Sequence, residues 1–177
     1  MDIPLWALAL VYWLHMLATV VWIGGLAALS ILVLPAAHKA LDVSRYAAFL
    51  NELQRRLDPL GWFSLALLAG TGMVQMSANP NYQGLLAIDN QWAAAILVKH
   101  LVIVGMVGLA GYISWGLLPR LRRLALRLAL AQKEASSADP ALAEKMVALR
   151  RQEIILLRLN LVLGIVVLAL TAVARSA

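Results

Sequence analysis

Hydrophobic residues fall into four long runs along the chain, and polar segments separate these runs. The first run has no Asp, Glu, Lys or Arg between Asp2 and Lys39, which exceeds the ~20 residues that a helix needs to cross a bilayer. Pro35 and Pro119 are predicted to close the first and third runs, because proline disrupts a helix. The pattern predicts an all-α integral membrane protein, a bundle of four transmembrane helices over residues of about 4–34, 59–76, 91–118 and 154–173.

The connections between the runs carry helical patterns of their own. Residues 41–58 alternate apolar and charged side chains at helical spacing, which predicts an amphipathic segment at the membrane surface. Residues 119–152 are predicted to form a helical hairpin outside the bilayer that continues spans three and four, with Asp139 as an N-cap before Pro140. Because no repeat or separate soluble segment is visible, residues 1–177 are predicted to form a single membrane domain.

Lysine and arginine are distributed unevenly among the three connections. The first connection has four of them, the second has none and the third has eight. Cytoplasmic loops of membrane proteins carry an excess of these residues. We therefore predict a multi-pass protein of the bacterial cytoplasmic (inner) membrane. The first connection and the third connection, which is the hairpin, are predicted to lie in the cytoplasm, and both termini are predicted to lie outside.

The composition limits the partners and the chemistry that are available. With 63% hydrophobic and 14% charged residues and a mean hydropathy of +0.82, the chain requires a lipid bilayer as its main partner. The formal net charge of +6 comes from the basic connections, so nucleic acid is not a predicted partner. Since there is no cysteine, any metal or haem must be held by histidine, methionine, carboxylate or backbone groups.

Two histidines lie inside the apolar runs, where an unpaired polar side chain is costly. His15 and His100 lie at similar distances from the outer ends of spans one and three, and their depths differ by roughly 3 Å at the ~1.5 Å rise of a helix. Two imidazoles at one depth predict axial ligation of haem b in the outer half of the bundle. Trp22 and Gly111 are predicted to make room for the porphyrin, and Lys99 to pair with a propionate.

Copper is the alternative ligand that the residues leave open. Met73 and Met76 share a face of span two near the outer side and, with His15, supply the soft sulfur and imidazole donors that copper accepts. His38 lies at the cytoplasmic end of span one beside Lys39, and we interpret it as a solvated interfacial residue.

Two spacings carry a family resemblance, each placing a tryptophan at a fixed distance from a polar residue of an apolar helix. They are His15-x6-Trp22-x2-Gly25-Leu26 and Trp92-x6-Lys99. Together they resemble the copper-resistance D domain and the related HemJ-type protoporphyrinogen oxidases, which are small four-helix membrane units. The first resemblance implies copper handling on the outer side of the membrane. The second implies a haem-linked oxidase in which His15 and Lys99 match the first-helix histidine and the third-helix lysine.

These observations lead to one main functional hypothesis and two alternatives. A haem with two histidine ligands has no open position for a substrate, which favours electron transfer or a subunit role in a membrane redox complex over a stand-alone enzyme. The expected protein partner is a membrane redox protein or a second copy of the chain. The alternatives are copper uptake or handling of the copper-resistance D type, and HemJ-type porphyrinogen oxidation.

Overall fold

The computed structural model describes residues 4–82, 84, 90–133 and 140–176, and these residues form helices joined by short turns, without strands. Two segments are π-helical, and the other helices are α-helices. The α-helices are α1 Leu5–Ala27, α2 Leu34–Ala40, α3 Val43–Ser77, α4 Gln91–Gly111, α5 Leu118–Lys133 and α6 Pro140–Ser176. The π segments, Ala28–Val33 and Tyr112–Leu117, join α1 to α2 and α4 to α5.

The described elements form four continuous helices, and each is long and apolar enough to cross a membrane, which confirms the predicted all-α fold with four membrane spans. Large apolar side chains such as Trp6, Phe63 and Val104 lie on their outer surfaces. Exposed apolar area on this scale is unfavourable in water and favourable in hydrocarbon. The four candidate spans are Leu5–Ala40, Ala48–Ser77, Gln91–Leu128 and Pro140–Arg175.

The prediction that Pro35 and Pro119 end their helices is wrong, because each follows a π segment that lets the helix continue. In these wider turns the Leu34 N–H donates to the Leu29 carbonyl, and the Leu118 N–H donates to the Ile113 carbonyl, five residues back in both cases. Both donors immediately precede a proline. A proline ring displaces the carbonyl four residues before it, and the wider turn accommodates that displacement.

The predicted surface segment at 41–58 and the second span are one helix. α3 begins at Val43 and continues through Pro59 to Ser77, so the proline removes one backbone hydrogen bond without ending the helix. At the start of α4, the Asn90 side chain accepts a hydrogen bond from the Ala93 N–H at 2.7 Å and caps the helix. The predicted N-cap Asp139 lies outside the described residues.

The chain divides into two compact units, and each contains a section of every membrane helix. Unit 1 comprises Met1–Gly25, Leu60–Met106 and Leu161–Ala177. Its core includes Trp92 and Ala174, with Met76 packed against them. These are mainly small and aromatic side chains, which allow close approach between helix backbones.

Unit 2 comprises Leu26–Pro59 and Val107–Asn160. A polar network lies beside its second π segment, where the Gln54 amide donates to the Asp58 carboxylate at 2.9 Å and to the Ser114 carbonyl at 3.3 Å. Backbone groups that a distorted helix leaves unpaired need such partners inside a membrane protein. The aliphatic core of unit 2 includes the buried residues Leu34, Leu117 and Leu121.

Candidate metal centre

In unit 1, His15 of α1 is held by a threonine of α3. The His15 Nδ1 atom lies 2.8 Å from the Thr71 hydroxyl oxygen, and that hydroxyl donates its hydrogen to the Leu67 carbonyl at 2.5 Å. Because the hydroxyl has only one hydrogen, it must accept the hydrogen bond from His15 Nδ1–H. The neutral imidazole therefore carries its free lone pair on Nε2, the form in which histidine binds a metal.

Neighbouring residues fix the relative position of α1 and α3 around this histidine. A methyl group at Gly72 would lie 3.6 Å from His15 Cε1, so the glycine leaves the edge of the ring uncovered. One turn before His15 in α1 and one turn after Thr71 in α3, the Gln75 amide donates to the Val11 carbonyl at 3.5 Å. Contacts on two successive turns determine which face of α1 meets α3, and they direct His15 toward this helix.

α4 contributes both of its predicted polar residues to unit 1. The charge of Lys99 acts on His15 directly, so the pair that the family resemblance singled out lies within electrostatic range. His100 donates from Nδ1 to the Ile96 carbonyl of its own helix at 2.7 Å, which leaves its lone pair on Nε2 as well. His15 is thus anchored to another helix, whereas His100 is anchored within its own helix.

The two residues predicted to surround a porphyrin lie in different units. Trp22 belongs to unit 1, where its ring carbon Cζ3 lies 3.1 Å from the position that a methyl group on Gly61 would occupy. Gly111 belongs to unit 2, where the corresponding distance to the Trp115 ring is 3.3 Å. Each glycine therefore makes room for a tryptophan of the chain itself.

The two candidate methionines of α3 differ in their surroundings. Met73 is 65% exposed on the apolar outer surface. Met76 is partly buried against the Trp92 cluster and follows Gly72 by one turn, on the same face of α3. Side chains of a helix lean toward its N-terminus, which is the direction of Gly72 from Met76.

A second buried polar cluster lies in unit 2, and most of its residues were not predicted from the sequence. Tyr46 is 1% exposed and donates a hydrogen bond to Glu153 at 2.8 Å; Glu153 is 2% exposed. His38 Nε2 lies 2.5 Å from the same phenol oxygen, and Arg150 lies over the Tyr46 ring at 4.0 Å. The interpretation of His38 as a solvated residue is wrong, because its side chain is 17% exposed and packs into this cluster.

The side chains that most often bind metals do not form a metal site by themselves in the described residues, either around His15 or around Tyr46. Within residues 4–82, 84, 90–133 and 140–176, no group of three or more His, Cys, Asp or Glu side chains could hold a metal ion. Methionine thioethers and tyrosine phenolates are further donors that metal ions accept. The partly buried Met76 lies in unit 1, and Tyr46 lies beside His38 in unit 2.

A family model for copper resistance protein D matches residues 51–174 of the chain. The chain belongs to the copper resistance protein D family. No curated protein and no solved structure matches it. The matched part of this family member includes Met76, Lys99 and Glu153, whereas His15 and Tyr46 precede it. Membership supports the copper alternative over the main hypothesis, since it lends no support to haem b or electron transfer.

Proposed function

We propose that this protein handles copper in the membrane and binds Cu⁺ at a site built on His15. The observation that carries the proposal is the hydrogen bond from His15 to Thr71, which leaves the Nε2 lone pair free within an apolar helix bundle. Family membership supports copper as the metal. Imidazole and thioether donors suit Cu⁺, and both are available in unit 1 without any cysteine.

Met76 is the second proposed ligand. Met76 lies one turn after Gly72 and is partly buried, so it is on the side of α3 that packs against other helices. Met73, in contrast, lies on the exposed side of α3. A site of one imidazole and one thioether is neutral and therefore adds no further charge to the bound ion. The nearby positive charge of Lys99 opposes the bound ion. These two features predict a moderate affinity for Cu⁺. Such an affinity allows the ion to leave the site as well as to enter it, as transport requires.

The thiol-free sequence allows a direct test of the proposed orientation, in which both termini and the second connection face outward. We expect Asn81→Cys to react with a membrane-impermeant maleimide in intact cells, because its connection has no lysine or arginine. Arg123→Cys is expected to react only after permeabilisation. Both residues are exposed in the structure, so accessibility on the membrane side decides the result. The reverse labelling pattern would show that the orientation is inverted.

The Thr71 hydroxyl provides a test of the copper site itself. In purified protein kept reduced with ascorbate, we expect one Cu⁺ per chain in competition with a chromogenic chelator. Thr71→Val leaves His15 Nδ1–H without its acceptor, and it is expected to lower the affinity about 10- to 100-fold. Thr171→Val is the matched control, because Thr171 also donates within its helix, to the Val167 carbonyl at 2.8 Å. Equal affinities for the two variants would contradict the site.

A further inference from the structure

The buried cluster of unit 2 brings three metal-binding atoms to one point. They are Nε2 of His38 in α2, the phenol oxygen of Tyr46 in α3 and Oε2 of Glu153 in α6. Their mutual distances are 2.5 Å from His38 to Tyr46, 2.8 Å from Tyr46 to Glu153 and 3.9 Å from His38 to Glu153. The three helices thus contribute one nitrogen and two oxygen donors, all largely shielded from the surroundings.

We propose that His38, Tyr46 and Glu153 form a Cu²⁺-binding site. The three atoms lie on a circle with a radius of about 2.0 Å, which equals the bond length from nitrogen and oxygen ligands to a divalent transition metal. An ion at its centre would reach all three donors without a change in backbone position. The site therefore needs no fourth residue from the chain, and a water molecule can complete it.

The shape of the triangle selects the metal. The His38 and Glu153 atoms are separated by nearly twice the bond length and therefore lie on opposite sides of the centre, with the Tyr46 oxygen between them. These positions are three corners of a square, the arrangement that Cu²⁺ prefers with nitrogen and oxygen ligands. Ligands of a tetrahedral Zn²⁺ ion lie about 3.3 Å apart, so the separation of 3.9 Å disfavours zinc.

The hydrogens of the cluster determine the proton balance of binding. The Tyr46 hydroxyl donates to Glu153, so His38 Nε2–H donates to the Tyr46 oxygen in the metal-free protein. Burial is the main factor that raises the pKa of the Tyr46 phenol, and the negative charge of the Glu153 carboxylate raises it further. The phenol therefore keeps its proton at neutral pH. When Cu²⁺ binds, the phenol O–H bond breaks and its proton leaves to solvent. The His38 proton moves from Nε2 to Nδ1, and no electron is transferred.

Arg150 makes the tyrosine a better ligand. Its guanidinium lies 4.0 Å from the centre of the Tyr46 ring, and its positive charge favours the phenolate over the phenol. The phenolate and the carboxylate each carry one negative charge, and the imidazole is neutral. Together the ligands therefore balance the two positive charges of the ion. His38, Glu153 and Arg150 are the groups of α2 and α6 that face the phenol.

The test is a titration of the purified full chain with Cu²⁺ in detergent micelles. At about pH 8.5, where Glu153 is a carboxylate, we expect one Cu²⁺ to bind with release of one proton, a visible tyrosinate-to-copper absorption band and a tetragonal electron paramagnetic resonance spectrum. Tyr46→Phe is expected to abolish the band and weaken binding more than about 100-fold. Glu153→Gln is expected to weaken binding as well while keeping a shifted band. Tyr112→Phe is the matched control, since that phenol accepts a hydrogen bond from Gln152 at 3.4 Å and is not one of the proposed ligands.

Two further measurements keep the outcome decisive. Resonance Raman excitation of the unmodified protein with Cu²⁺ must show tyrosinate vibrations; their absence would overturn the proposal even if Tyr46→Phe fails to fold. The proposal does not rest on copper handling at His15, and His15→Ala is expected to retain the absorption band in full. A band that disappears in His15→Ala and persists in Tyr46→Phe would assign the Cu²⁺ to unit 1 and refute the site proposed for unit 2.

Discussion

Replacing His15 by alanine is expected to weaken Cu⁺ binding more than about 100-fold, because loss of a hydrogen-bond partner of a ligand alone costs about 10- to 100-fold. The variant removes the Nε2 donor and leaves α1 otherwise intact. Alanine is a good helix former, and the ring faces α3 at a glycine, so we expect little change in helicity. Chelator competition measures the affinity, and far-ultraviolet circular dichroism checks the fold.

Two matched pairs of variants decide whether the proposed ligands are correct. His100→Ala is expected to keep the affinity of the unmodified protein, since His100 is anchored within its own helix. Met76→Leu is expected to weaken binding, whereas Met73→Leu changes only the exposed outer face. If His15→Ala and His100→Ala lose copper equally, both imidazoles are ligands and the His15 and Met76 site is wrong. A Soret band lost in both histidine variants would restore the haem hypothesis.

The four membrane helices could be predicted from the sequence because the signal that defines them is one-dimensional. A helix in a bilayer satisfies its own backbone hydrogen bonds and needs only a long enough apolar run. The run after Asp2 met that condition without reference to any other part of the chain. The end of each helix was harder to predict, because proline acts on the local backbone and a π turn can absorb its effect, as it does before Pro35 and Pro119.

The partners of the functional side chains could not be read from the same pattern. His15 stood out as a histidine in an apolar run, but its contact with Thr71 depends on the rotation of two helices about their axes. Hydropathy does not encode that rotation when apolar residues surround the helix on all sides. The same holds for Tyr46 and Glu153, which are 107 residues apart in sequence and 2.8 Å apart in the fold. A glutamate beside an apolar run was the only sequence signal for that contact.

Replacing Tyr46 by alanine is expected to destabilise the protein by about 3–5 kcal/mol, the usual loss when a buried aromatic side chain is removed. The ring is 1% exposed and lies beneath Arg150, so its removal leaves a cavity and an uncovered guanidinium. Glu153 also loses its hydrogen-bond donor while it stays buried, which adds an unsatisfied carboxylate to the cost.

The measurement is a thermal melt of the purified protein followed by circular dichroism, with Tyr112→Ala as the control. Tyr112 is 41% exposed, so its removal leaves no closed cavity, and we expect a loss below about 1 kcal/mol. For a chain of this size the Tyr46 variant should melt about 6–20 °C lower than the unmodified protein. Equal melting temperatures for the two variants would mean that the Tyr46 cluster does not stabilise unit 2. In that case the contacts among α2, α3 and α6 would have to be held by the aliphatic core of that unit alone.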